Sequence, residues 1–198
     1  MTMAVAIWCR HKDDNIIGTG NHLPWCIESD SKRFWDVVTN QNMVCGRKTY
    51  QSIPQEKLSY PQKIFVLSNN ADFEVFDTKK HLLISSQKRL EDNLTEEEDI
   101  YIAGGAQIYE LFMQGKEKFK PHIIVDCVYE GDLLNIDETS VNITSVINEM
   151  QKKYRKITPD YCQDNVASAI WIRKGEFVEQ SVLKRLVQIL EQCGEGVR

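Results

Sequence analysis

No stretch of this 198-residue chain approaches the roughly 18 consecutive apolar residues that a membrane-crossing helix requires. The opening run Met1–Cys9 is too short and too poor in basic residues to be a secretory leader. No C-x-x-C pair occurs among the six cysteines, and no histidine stands at metal-ligand spacing from them. A disulfide framework and a zinc site are therefore not expected, and reduced thiols in a cytoplasmic protein are. The formal charge of −5 gives no basic field for nucleic acid, and nothing in the chain calls for a membrane partner. There is no internal repeat and no linker rich in proline, glycine or serine, so one domain is expected. The acidic run Thr95–Asp99 reads as a solvated loop.

What the chain does contain is an alternation of short apolar runs with helix-like segments. Ala4–Cys9, Met43–Cys45, Lys63–Leu67, His81–Ile84, Ile100–Ala103 and Ile123–Val125 are nearly unbroken apolar stretches, as strands covered on both faces should be. Helices are expected around 29–38, 48–53, 87–93 and 106–114. The expected fold class is α/β, with a central, mainly parallel β-sheet flanked by helices. Tyr154–Ile157 and Ala167–Arg173 would add a C-terminal antiparallel hairpin. Beyond a domain spanning 1–175, residues 176–198 carry Val178, Val182, Leu186, Ile189, Leu190 and Cys193 at helical spacing, an amphipathic extension expected to pack back on the domain.

Three segments carry chemistry. Gly18-Thr19-Gly20-Asn21-His22-Leu23-Pro24-Trp25 is a polar glycine loop ending in an apolar clamp. Ser29 is a candidate cap for the helix that follows, with Asp30 in its first turn, where exposed N–H groups favour a carboxylate. Phe34 falls on the same helical face as Asp30, and a carboxylate beside an aromatic ring suits a flat, amine-bearing heterocycle. Gly46-Arg47-Lys48-Thr49 and Ala103-Gly104-Gly105-Ala106 each follow a strand and open a helix, which places amides and basic groups where an anion can sit. Neither is the G-x-G-x-x-G fingerprint.

Taken in order, Ile17-Gly18, Leu23-Pro24-Trp25, Asp30, Phe34, Gly46 to Tyr50, Ser52-Ile53, Val66-Leu67-Ser68, Ile102 to Tyr109 and Glu130-Gly131-Asp132 resemble the dihydrofolate reductase family over roughly two thirds of the chain. The resemblance implies an NADPH-dependent oxidoreductase that reduces dihydrofolate to tetrahydrofolate in one-carbon metabolism. Asp30 would orient the pterin and promote its protonation, with Leu23 and Trp25 beside it as catalytic residues. Trp8, Cys9, Ser31, Phe34, Ile53, Leu58, Gln62, Ala103, Tyr109 and Ile123 would line the substrate. NADPH would lie along Cys9, Ile17, Gly18, Asn21, Gly46, Arg47, Lys48, Thr49, Leu67, Ser68, Asn69 and Ser85, continuing over Ala103, Gly104, Gly105, Ala106, Gln107, Ile108 and Tyr109. Arg47 beside a 2′-phosphate would favour NADPH over NADH. The resemblance further implies a cis Gly104–Gly105 bond, a mobile loop at 13–25 touched by Asp132, sensitivity to antifolate inhibitors, no metal, and a monomer rather than a dimer.

The substrate side departs from that pattern. Counting back from Val66-Leu67-Ser68, the arginine that clamps the folate α-carboxylate is replaced by Gln62, with Lys63 next to it. Ser31 stands where an apolar residue is usual, and Ile123 where, counting back from Glu130, a threonine should support the carboxylate. On the cofactor side the arginine common after the glycine pair is Gln107. These changes spare the ring contacts and weaken the tail contacts, so weaker dihydrofolate binding, a related pterin or aminopyrimidine substrate, or a non-catalytic nucleotide-binding protein are the competing expectations.

Overall fold

A computed structural model describes residues 2–20, 22–95, 97–134, 136–193 and 195–196. The strands are β1 (Ala4–His11), β2 (Ile16–Thr19), β3 (Asn42–Gly46), β4 (Lys63–Leu67), β5 (His81–Ile84), β6 (Ile100–Ile102), β7 (Ile123–Tyr129), β8 (Ser140–Asn142), β9 (Tyr154–Lys156), β10 (Tyr161–Gln163), β11 (Val166–Arg173) and β12 (Glu195–Gly196). The helices are α1 (Glu28–Val38), α2 (Arg47–Ser52), α3 (Gln87–Asp92), α4 (Ala106–Gln114), α5 (Thr144–Lys153) and α6 (Gln180–Cys193).

Ten strands form one sheet in the order β12-β10-β11-β7-β1-β6-β3-β4-β5, with β9 also paired to β11. From β7 to β5 every pairing is parallel. β11 turns antiparallel against β7, and β9, β10 and β12 extend that antiparallel end. The parallel strands are buried on both faces because helices cover both, the condition their unbroken apolar runs require. On one face α1, α2 and α6 enclose a core that includes Val37, Tyr50, Ile64, Val125 and Leu186. On the other, α3, α4 and α5 enclose Phe65, Leu90, Ile102, Phe112 and Ile147.

The expected strands and helices all form, and Tyr154–Lys156 does pair antiparallel with β11. Several features were not anticipated, among them β10, which is the tight hairpin partner of β11, and β12. α5 buries Val146, Ile147 and Met150 against the α4 face. The ribbon of β2 with β8 forms a separate two-stranded sheet. α1 begins at Glu28, so Ser29 sits inside the first turn with no side-chain cap made, contrary to its expected capping role.

α6 lies back on the domain: Val182, Leu186 and Leu190 are buried in the α1-side core. Arg185 donates from Nη2 to the carbonyls of Asp36 and Val37 at 2.9 and 2.8 Å, satisfying acceptors that the end of α1 leaves open. The helix that carries Asp30 is thereby fixed from its far end.

Candidate active site

β1 runs through the middle of the sheet, and its successive side chains point to opposite faces. Cys9 faces α1, where its thiol donates to the carboxylate of Asp30. Trp8 faces the other way: it packs edge-on to Tyr109 with centroids 5.2 Å apart, and its Nε1 donates to Asp126 at 2.7 Å. The Trp8 and Cys9 side chains therefore stand on opposite faces of the sheet, as strand alternation requires.

Asp30 is in the first turn of α1 and only 7 % exposed. Trp25 Nε1 donates to its Oδ2 at 3.3 Å, and Arg33 Nη1 lies 3.5 Å from its Oδ1. Burial raises the Asp30 carboxyl above the usual carboxylate range, while the Arg33 charge and the hydrogen bonds from Cys9 and Trp25 pull it back down. Phe34 and Ile53 are partly buried against the same core, and Leu58 is buried in it. Ser31 is on the exposed side of α1, and Leu23 is 56 % exposed, free to close on a ligand.

Ile123 does not reach this group. It pairs with Val5 near the start of β7 and is fully buried there, whereas Cys127, level with Cys9, is the β7 side chain on which the Asp30 and Arg33 charges act. The Ile123 position reached by counting back from Glu130 therefore lies four residues before the β7 residue paired with Cys9. Arg33 went unnoticed in the sequence: on α1 it reads as one more charged helix residue, yet its side chain is 1 % exposed.

The opposite wall is made by two turns at the carboxyl ends of neighbouring parallel strands. Gly46 N donates to the Gly104 carbonyl at 2.7 Å, and Ala103 N to the Val44 carbonyl at 2.8 Å, so the turns are stitched together. Gly104 has φ +95, and a Cβ there would lie 2.8 Å from Tyr109 Oη. The Gly104–Gly105 peptide is cis. Tyr109 is buried, its hydroxyl donating to the Ile7 carbonyl at 2.7 Å, and Ile108 packs beneath Gly46. α4 opens at Ala106 with no side-chain cap, which leaves its first amides for a ligand, and Gln107 is exposed beside them. Thr49 approaches Gly105; Lys48 is exposed; Arg47 bonds Gln51 at 3.1 Å and lies over the Phe73 ring.

Further along, Leu67 closes β4, and a cleft of about 340 Å³ is lined by Ser68, Asn69, Ser85 and Arg89 among others. Arg89 was not foreseen, since a lone arginine on a short helix has no motif around it. The expected loop residues Ile17 and Gly18 belong to β2, while Asn21 lies outside the described residues. The loop is tied down by the β2–β8 ribbon, by a 3.0 Å contact between the Thr19 and Ser140 hydroxyls, and by Leu134 N donating to the Pro24 carbonyl. At its root, Arg10 holds Asp126 with two bonds and Asn15 with a third.

On the tail side, Gln62 is exposed. Lys63 is engaged by Glu98 at 2.9 Å and so does not replace the missing arginine.

Uncapped, glycine-lined turns at parallel strand ends, with a buried carboxylate beside the neighbouring strand, suit an enzyme that binds a nucleotide. The family model described as dihydrofolate reductase matches residues 3–162, and the chain belongs to the dihydrofolate reductase family. It is 30% identical to the dihydrofolate reductase of Enterococcus faecium over 143 residues, 71% of this chain and 83% of that one. It is 28% identical to that of Mycoplasma genitalium over 151 residues, 73% and 91% of the two chains. The fold matches that of the Enterococcus faecalis dihydrofolate reductase complexed with NADP(H) and RAB-propyl, with a TM-score of 0.65 at 20% identity, over 87% of this chain and 96% of that one.

Proposed function

We propose that the protein reduces 7,8-dihydrofolate to tetrahydrofolate with NADPH, and that Asp30 is the group that binds and orients the pterin ring. The observation that carries this reading is the buried Asp30 carboxylate at β1, one strand away from the Gly104–Gly105 turn. The turns fit a dinucleotide: the glycine pair puts backbone, not side chains, at the start of α4, and the first α4 amides are uncapped. NADPH, when bound, supplies the hydride. Gly46, Thr49, Gly105 and Ala106 would hold its phosphates; Arg47, Lys48 and Arg89, with Ser68, Asn69 and Ser85, would hold the adenosine end and its 2′-phosphate.

The chain's own residues do the rest. Asp30, ionised, accepts two hydrogen bonds from the pterin amino group and ring N–H, which fixes the ring and makes the imine nitrogen easier to protonate through water. Trp25 and the Cys9 thiol keep the carboxylate pointed. Leu23, now exposed, excludes bulk water when the loop closes. On this reading the protein works in the cytoplasm as a monomer, with small-molecule partners, antifolate inhibitors among them, and with no nucleic-acid or membrane partner.

The test follows NADPH absorbance with dihydrofolate for the wild type and Asp30→Asn. Turnover that falls about 10²- to 10⁴-fold in the variant supports the reading; equal turnover by both refutes it. Exposed Gln62 and the Lys63–Glu98 pair favour a second reading, in which the tail is held weakly and a pterin with another tail is preferred. Loss of a charged clamp costs about 1.5–3 kcal/mol, or one to two powers of ten in affinity. Gln62→Arg should then lower KM for dihydrofolate by about tenfold, and an unchanged KM would dismiss the second reading.

A further inference from the structure

Arg33 is among the largest fully buried side chains of the described residues, and its Nε, Nη1 and Nη2 make no hydrogen bond there. An unsatisfied guanidinium in a dry interior destabilises the fold, so stability does not explain its presence. Its ion-pair partner is Asp30, one helical turn earlier, with Nη1 at 3.5 Å from Oδ1.

The face of the sheet beneath α1 carries an in-register row across four strands: Cys9 on β1, Cys127 on β7, Ser168 on β11 and Tyr161 on β10. Ser168 is fully buried and donates its hydroxyl proton to Cys127 Sγ at 3.2 Å. None of these is a competing anion. The Cys9 and Cys127 thiols are pushed up by burial and stay neutral, as does Cys162 on β10, which also feels the Arg33 charge. From the loop, Trp25 reaches Asp30 as a neutral donor. Among the described groups acting on Asp30, Arg33 is the one cation.

We propose that Arg33 is the positioning residue of the reductase site: its buried guanidinium, in ion-pair contact with Oδ1, keeps the Asp30 carboxylate able to accept two hydrogen bonds from an amino-heterocycle. The inference rests on the reading of Asp30 as the pterin-binding group. A carboxyl as buried as this one tends to protonate, and a protonated carboxyl loses one of the two acceptors that an amine and a ring N–H need. A cation within ion-pair distance restores the ionised form. Because the pair is neutral as a whole, the site gains less from a cationic ring than an unaccompanied carboxylate would, and it favours neutral N–H donors.

The test is a pH titration of the Asp30 carboxyl by carbon NMR on protein labelled with [4-13C]aspartate, the resonance being assigned by its loss in Asp30→Asn. Wild type, Arg33→Met and Arg33→Lys are compared, and the pH dependence of kcat/KM for dihydrofolate is measured on all three. In Arg33→Met the Asp30 midpoint should rise by about one to three pH units, and the limb of kcat/KM governed by that carboxyl should move with it. Arg33→Lys should restore most of the shift. A purely structural role would change the melting temperature and leave the midpoint in place. Should Arg33→Met fail to fold, Arg33→Gln keeps the shape without the charge. The titration needs no turnover, so the two readings fail separately. An unmoved midpoint in a folded, active variant overturns the role of Arg33; a shifted midpoint with no turnover of dihydrofolate keeps the pair and overturns the reductase reading.

Discussion

The wall proposed for the cofactor is built from backbone, in two glycine turns bonded to each other at the ends of β3 and β6, whereas the group proposed to hold the substrate is built from side chains that meet from α1, β1, β7 and the loop. A backbone wall depends on residues adjacent in sequence: a glycine where a Cβ would collide, and a helix start left uncapped. A side-chain wall depends on strand register and on helix rotation, which place residues about a hundred positions apart against one another. The first kind tolerates most side-chain exchanges nearby. The second can be re-tuned by one substitution, and Arg33 behind Asp30 is such a case.

That contrast can be broken or sharpened by experiment. The largest effect expected is the collapse of turnover in Asp30→Asn, with NADPH affinity, measured by fluorescence titration, left within about twofold because no cofactor contact is touched. A large loss of NADPH binding in that variant would show that the two walls are not separable. Gly104→Ala attacks the other wall. With φ +95 and a Cβ 2.8 Å from Tyr109 Oη, the strain is about 1–3 kcal/mol, and NADPH affinity should fall about ten- to a hundredfold. Wild-type affinity in this variant would mean that the turn need not hold its form.

Arg47→Ala and Arg89→Ala should each reduce the preference for NADPH over NADH by about tenfold, the worth of one charge-assisted bond to a phosphate; an unchanged ratio of kcat/KM values clears that residue of the role. The smallest effect concerns pH. Burial lowers His81, whose Nδ1 meets the Tyr50 hydroxyl at 2.8 Å and ties β5 to α2 on the cofactor side. The unfolded chain takes up a proton near pH 6.5 while native His81 does not. Its contribution is therefore intact above that pH and declines as the pH drops below it toward the lower native value. Urea midpoints at pH 7.5 and 5.5 should show the decline in the wild type and less of it in His81→Gln.

The same contrast explains what could be read from the chain alone. The parallel strands were legible because burial on both faces leaves an unbroken apolar run, and the glycine turns because each is a local signal. Asp30 stood out only when the motifs around it were taken in order, since a first-turn Asp beside a Phe is by itself an ordinary helix start. Which face Trp8 and Cys9 take could not be read from the chain, since alternation is resolved only once Cys9 is known to face α1. That Cys127, not Ile123, stands level with Cys9 depends on the β1–β7 register, which a count of residues does not contain. Arg33 carried no signal at all: a basic residue in a polar helix is read as solvated until the packing of α1 is known. The β2–β8 ribbon, between segments over a hundred residues apart, was likewise out of reach.

The position of β1 has a consequence for synthesis. β1 has both of its neighbours, β6 and β7, far along the chain: Met3 N bonds Asp99 across 96 positions, and Ala4 N bonds His122 across 118. At translation speeds of about 5–20 residues per second, an apolar hexapeptide waits on the order of ten seconds with both edges open. During that interval it is a target for chaperones and for the nascent β1 of a neighbouring ribosome. The rate of elongation through residues 10–129 therefore sets how long β1 waits for its neighbours.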